Sequence, residues 1–254
     1  CLAIGIVGLC QGIHYLFLIG IVNIMASIFI WVKIKHQILK WRIKKEILQS
    51  ILKIGIPVMM AGIVGELLLS VDRLLISFFM DNIQLGYYGF GSNFFKGIRI
   101  IGITMSMMLL PRIAKSYAIK DYSKMIYYAR IQQWLSFTLM GIASIITGFI
   151  LINYIPIFMS EYNSSIRLSI ILLGVATILP LSFYPNILNT IGKQKVYLMT
   201  QIFGIFLNLI ISTVLILMGY GIEGVAAGSL ISIAIYVLII RFIGNRSTIH
   251  LFAS

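Results

Sequence analysis

Five charged residues stand where an apolar helix ordinarily carries none. Glu66, Asp72 and Arg73 interrupt the run IGIPVMMAGIVGELLLSVDRLLISFFM (54–80), and Lys96 and Arg99 interrupt YYGFGSNFFKGIRIIGITMSMMLLPR (87–112). A charge at the centre of a membrane helix costs on the order of 2.5–3.5 kcal/mol on insertion scales, so such residues face a bundle interior or a wet cavity and mark a pathway. Counted from Ile54 at the helical rise, Glu66 lies about 18 Å in, and Asp72 and Arg73 about 27 Å. Counted back from Pro111, Lys96 lies about 22 Å in and Arg99 about 18 Å. Glu66, Lys96 and Arg99 therefore share a depth to within one turn. Glu66, Ser70 and Arg73 follow i, i+4, i+7 on one face, and Ser92, Lys96, Arg99 and Ser106 form a second stripe broken by Ile103. Two cations this close repel, so the stripe requires an anion. That anion is either a ligand's acidic headgroup or Glu66 in a structural ion pair, with Asp72–Arg73 then an interfacial anchor; spacing leaves both readings open. Nearby acids, Asp72 and Glu66, are the candidates for ion coupling.

Two further stretches carry polarity into apolar helices. Gln201, Gly204 and Asn208 lie at i, i+3, i+7, a stripe suited to interhelical hydrogen bonds or to substrate contact. Pro180, Pro185, Asn186 and Asn189 cluster near one end of the 166–190 run. Prolines there free backbone carbonyls that neighbours or cavity water must satisfy, which makes Pro180 and Pro185 hinge candidates or a static kink. Nothing resembles a catalytic set. His14, His36 and His250 are scattered, Cys1 and Cys10 lack metal or disulfide spacing, and there is no glycine-rich phosphate loop with a lysine. No enzyme, cofactor or metal is expected.

The elements that must position these residues are membrane helices. The 254-residue chain is 60% hydrophobic and 11% charged, against roughly 25% charged in soluble domains, and it repeats apolar runs long enough to span a bilayer. The fold class is all-α, a polytopic integral membrane bundle of about seven helices at 12–33, 52–79, 87–111, 130–153, 166–190, 196–219 and 222–243. The net charge of +13 is not a nucleic-acid face. Lys33, Lys35, Lys40, Arg42, Lys44, Lys45 and Lys53 surround one polar segment, Arg112, Lys115, Lys120, Lys124 and Arg130 another, and Lys193, Lys195, Arg241 and Arg246 the remaining inner ones. That alternation is the positive-inside pattern and places the C-terminus on the cytoplasmic side. Arg167, at an outer helix end, is explained by snorkelling. Residues 34–50 read as a basic amphipathic segment on the inner membrane surface or as a solvated loop. Asn163-Ser-Ser has the spelling of a glycosylation sequon and carries little weight here.

GIVGLCQG (5–12) matches GIEGVAAG (221–228) at four of eight positions, as a parallel transporter repeat would. On that basis residues 1–34 end an incomplete N-terminal lobe and 35–51 are a basic cytoplasmic linker. Residues 52–243 then form a six-helix transporter lobe, and 244–254 a cytoplasmic tail. The chain opens on Cys, and roughly 165 or more upstream residues are expected.

IGIPVMM, SVDRLLISFFM, QLGYYGFGSNF and the exit MMLLPRIAKSYA, with PNILNTIGKQKVYLMTQIFGIFLNLIIS and GYGIEGVAAGSLIS, resemble the second half of Wzx-type polysaccharide flippases. These belong to the multidrug/oligosaccharidyl-lipid/polysaccharide superfamily, and the resemblance covers residues 50–243. It implies two six-helix lobes around a central cationic cavity. It also implies transfer of an undecaprenyl-pyrophosphate-linked oligosaccharide between leaflets of the bacterial inner membrane, coupled to protons or sodium. Lys96 and Arg99 fit a pyrophosphate-binding role, joined by Arg73, Gln201 and Asn208. Asp72 occupies the family's SxDR-like position, whereas Glu66 is less typical. Expected partners are the lipid-linked oligosaccharide, the bilayer, a polysaccharide polymerase and a chain-length regulator. A multidrug cation antiporter of the same superfamily is the nearest alternative. A lipid II flippase and a membrane polymerase or acyltransferase acting on lipid-linked sugars are the others.

Overall fold

The computed structural model describes residues 13–34, 45–182 and 184–253. The chain separates into two compact units, residues 1–52 and 53–254. In the first, α1 spans Ile13–Ile34, and its described side chains from Ile21 to Val32 are exposed and almost wholly apolar. The first copy of the sequence repeat and the basic stretch 35–44 lie outside the described residues.

The second unit is built from α2 (Lys45–Leu68, whose opening turns belong to the first unit), α3 (Val71–Phe79), α4 (Asn82–Ala118) and α5 (Tyr122–Phe158). It continues with a 3-10 turn (Ser160–Ser165), α6 (Ile166–Ile178), a second 3-10 turn (Leu179–Leu181), α7 (Tyr184–Thr190), α8 (Gln194–Leu217) and α9 (Gly221–Ala253). There is no strand among the described residues. Among the described residues, six segments are long and apolar enough to cross a bilayer: Ile51–Leu68, Asn82–Ala118, Tyr122–Phe158, Ser160–Leu181, Gln194–Leu217 and Gly221–Thr248. The protein is a polytopic all-α membrane bundle.

Each long helix buries one stripe and turns the remainder outward. On α5 the buried positions are Met125, Ala129, Gln133, Ser136, Met140, Ser144, Leu151 and Ile155, a repeat of three and four that follows a single face. The opposite face carries Trp134, Ile142, Ile145 and Phe149, all exposed, as lipid contact requires. In lipid the apolar face supplies little force for helix association, so close approach and hydrogen bonds supply it. Gly228 illustrates this: a Cβ there would lie 2.9 Å from the Ser212 Cα, so α8 and α9 touch backbone to backbone.

Three departures from the sequence reading have local causes. The run 52–79 is not continuous, because Leu69 and Ser70 form a turn between α2 and α3; the Ser70 hydroxyl donates to the Glu66 carbonyl at 2.7 Å, the back-bonding that bends helices. Pro111 does not end α4, which runs on to Ala118. A proline removes a single intrahelical donor, and Ile113 (0% exposed) and Ser116 (4%) hold the following turns in the core. The tail expected from residue 244 is helical through Ala253. Between α4 and α5, Asp121 accepts from the Lys124 amide at 3.0 Å and pairs with the Lys124 ammonium at 2.8 Å. The hydrogen bond from Lys124 holds this exposed carboxyl below the usual carboxylate range.

Candidate functional site

A cavity of about 390 Å³ opens among α2, α4, α5, α7, α8 and α9. Its wall includes the break between α6 and α7, through Leu179, Pro180 and Ser182, and the first turn of α7, through Pro185 and Asn186. In the break the Ser182 hydroxyl donates to the Leu179 carbonyl at 2.7 Å. Irregular backbone at membrane depth is tolerated where it lines a cavity; of the two candidate hinge prolines, Pro180 falls in the break and Pro185 in the helix turn that follows it.

Glu66 and Arg99 face each other across this cavity as a two-pronged pair. Arg99 Nη1 donates to Glu66 Oε2 at 3.0 Å, and Arg99 Nη2 donates to Glu66 Oε1. The two members are unequally covered, with 19% of the Arg99 side chain exposed and 65% of the Glu66 side chain. The amides stand around them. Asn186 Nδ2 donates to Ser106 Oγ at 2.7 Å and to Gln132 Oε1 at 2.9 Å. Gln201 Nε2 donates to Tyr197 Oη at 2.9 Å, and it reaches the α2 backbone because Gly65 has no Cβ; one added there would lie 2.6 Å from Gln201 Nε2. Gln201 Oε1 and Ser136 Oγ, both buried in the wall, have no hydrogen-bond partner among the described residues. Such groups cost about 1–3 kcal/mol each when left unsatisfied, so this wall is built to meet water or a ligand hydroxyl.

A second cluster lies one to two turns further along α2–α3. Asp72 is buried, and its carboxylate accepts from Tyr88 Oη at 2.5 Å and from Asn208 Nδ2 at 2.9 Å. Asn208 Nδ2 also approaches Ser229 Oγ at 3.3 Å, and Asn208 Oδ1 accepts from Ser212 Oγ at 2.7 Å. The cluster borders a small pocket of about 20 Å³ shared with Arg73, Ser92 and Lys96, enough for about one water. Arg73 Nη2 donates to Ser92 Oγ at 2.6 Å.

The structure thus divides what the spacing joined. Arg99, Glu66 and Gln201 line the large cavity, whereas Asp72, Asn208, Arg73 and Lys96 belong to the smaller cluster. Gln201 and Asn208 share a stripe on α8, yet seven residues separate them by about 10 Å along the axis, far enough to serve different sites. Arg167, read as a snorkelling residue, lies with its Nη1 3.9 Å from Glu223 Oε1.

A family model described as "Polysaccharide biosynthesis protein" matches residues 1–155. The chain belongs to this family. Among curated proteins it is similar to an uncharacterized membrane protein of Methanocaldococcus jannaschii, 28% identical over 195 residues, which are 74% of this chain and 44% of that protein. Among solved structures it is similar to a MATE in the straight conformation, with a TM-score of 0.78 at 14% identity, covering 91% of this chain and 55% of that one. A multidrug resistance MATE family transporter of the MOP superfamily, in its outward-facing conformation, gives a TM-score of 0.67 at 21% identity, covering 76% of this chain and 44% of that one. The chain therefore shares the MATE fold and spans about half the length of the proteins it matches.

For this member of the polysaccharide biosynthesis family, sequence reasoning overlooked the partners of its acids. Tyr88 stands four residues before Ser92 and Ser212 four after Asn208, so both extend stripes already visible at helical spacing. Tyr197, four residues before Gln201, extends the same α8 stripe, whereas Ser136, Tyr236 and Ser229 gave no such signal, because each becomes relevant only through the helix it meets.

Proposed function

We propose that the protein is a membrane transporter of the MOP type that moves an undecaprenyl-pyrophosphate-linked oligosaccharide from the inner to the outer leaflet of the bacterial cell membrane for surface polysaccharide synthesis. The observation that carries this reading is Arg99, a mostly covered guanidinium in the wall of an amide-lined cavity. A guanidinium offers a phosphate two parallel donors, and the amides of Gln132, Gln133, Asn186 and Gln201 match sugar hydroxyls in both donor and acceptor capacity. Membership in a polysaccharide biosynthesis family supports the same substrate. The break around Pro180 and Pro185 supplies the hinge for alternating access, Asp72 with its hydrogen-bonded shell couples a proton or sodium ion, and Lys96 and Arg73 add cationic charge beside it. The six-helix lobe at 52–243 works against a second lobe, the C-terminus is cytoplasmic, and a polymerase and a chain-length regulator act on the product.

A second reading, export of organic cations, is favoured by the exposed carboxylate of Glu66 and by Tyr197 and Tyr236 in the same wall. One experiment separates the two. In the full-length protein, Arg99→Ala should cut surface polysaccharide export by a factor of about 30 or more, since truncating one partner of a close charge pair costs about 2–5 kcal/mol. Lipid-linked oligosaccharide should then accumulate on the inner leaflet while membrane insertion stays normal. Unchanged polysaccharide with altered sensitivity to cationic drugs would transfer the protein to the second reading.

A further inference from the structure

We propose that Glu66 is a resident counter-anion, displaced from Arg99 by the diphosphate of the ligand, and that it thereby sets which anions the cavity accepts. The inference rests on the flippase reading above and assigns Glu66 a role distinct from ion coupling.

Three observations converge on it. The pair is two-pronged, so the carboxylate occupies the fork of donors that a phosphate would use. Its members differ in anchorage. Arg99 is largely covered by the bundle, while most of the Glu66 side chain is open to the cavity, so the carboxylate is the member free to swing out. Among the described residues, Arg99 is the one hydrogen-bond partner of that carboxylate, so no hydrogen bond holds Glu66 in place once an incoming anion has taken the fork. Leaving the largely covered Arg99 without a counter-ion would strand a charge; Glu66 keeps it satisfied while the cavity is empty. The resident carboxylate also raises the threshold for entry. A singly charged ligand replaces one carboxylate by its equal and gains nothing, whereas a diphosphate brings more charge and more acceptor oxygens to the same donors. Gly62 lines the cavity beside the pair with nothing within 4 Å of where a Cβ would stand, which leaves room for the exchange. Lys96, three residues before Arg99 on α4, adds its field from the neighbouring pocket.

The test is binding of inorganic pyrophosphate to the purified full-length protein in detergent, with inorganic phosphate as comparison. Glu66→Gln keeps the shape of the side chain and removes its charge. It should tighten pyrophosphate binding about tenfold, the advantage of removing a charged competitor from a charge-assisted site. It should tighten phosphate by a similar factor, because the same competitor is removed for both, and so lower the threshold for entry of the weaker anion. Glu66→Asp should stay near the parent, and Arg99→Ala combined with Glu66→Gln should lose the gain, locating it at the guanidinium. An unchanged melting temperature for Glu66→Gln keeps folding out of the comparison, and if that variant unfolds, Glu66→Ala carries the test, tightened pyrophosphate binding supporting the exchange and parent-like or weaker binding overturning it. Pyrophosphate binding equal to or weaker than the parent's in Glu66→Gln would overturn the exchange. If export still depends on Arg99 in that case, the flippase reading stands and only the role of Glu66 falls. If export is indifferent to Arg99, both fall.

Discussion

Glu66 and Asp72 stand six residues apart, and the bundle treats them in opposite ways. Asp72 is 5% exposed and is met by the neutral donors Tyr88 and Asn208, themselves steadied by Ser229 and Ser212. Glu66 faces an open cavity and has a single guanidinium as hydrogen-bond partner. A carboxylate bound by several fixed neutral dipoles is part of the framework, and releasing it leaves several buried donors unpaired. A carboxylate bound by one guanidinium at the edge of a cavity can be exchanged. The difference separates a carboxylate locked between helices from one open to a cavity.

The largest expected effect falls on the framework side. Asp72→Ala should cost about 3 kcal/mol, because it takes the acceptor from the buried Tyr88 Oη and from one N–H of Asn208 Nδ2. Thermal unfolding in detergent should show this as a clear drop in melting temperature, and a change below about 1 kcal/mol would erase the contrast. Gly228→Ala should come next, at about 1–3 kcal/mol of overpacking, because the new methyl meets the Ser212 backbone as well as its hydroxyl; the disturbance should spread to Asn208 and Asp72. Smallest is Gly65→Ala, where the added carbon meets only the end of the Gln201 side chain. Stability should move by less than about 1 kcal/mol, while ligand affinity changes as Gln201 is pushed out of position. A Gly65→Ala loss as large as that of Gly228→Ala would mean that the cavity wall is as rigid as the framework.

Much of this arrangement was legible in the sequence. Apolar runs located the helices, because bilayer thickness imposes their length, and charges inside those runs located the two clusters, because such charges must be compensated. Pairing was not legible. Lys96 and Arg99 lie on one side of α4, but three residues leave them about 60° apart around its axis, and which neighbour each one meets depends on the packing of α2 and α3. Nor was the turn at Leu69–Ser70 legible, since its one local cause is a serine that many membrane helices carry without breaking. Pro111 misled in the opposite direction: a local rule predicted an end, and burial of Ile113 overruled it.

The two 37-residue helices α4 and α5 have a mechanical consequence. Each is about 55 Å long, nearly twice the ~30 Å thickness of a bilayer's hydrocarbon core, and they meet at the short turn Ile119–Asp121. Whatever their tilt, a substantial part of this hairpin stands clear of the hydrocarbon. Arg99 sits near the middle of α4, and Lys115, Lys120 and Lys124 gather at the turn about 28 Å further on. A soluble probe attached at Lys120 therefore sits beside the end of the same rod that carries the cavity wall.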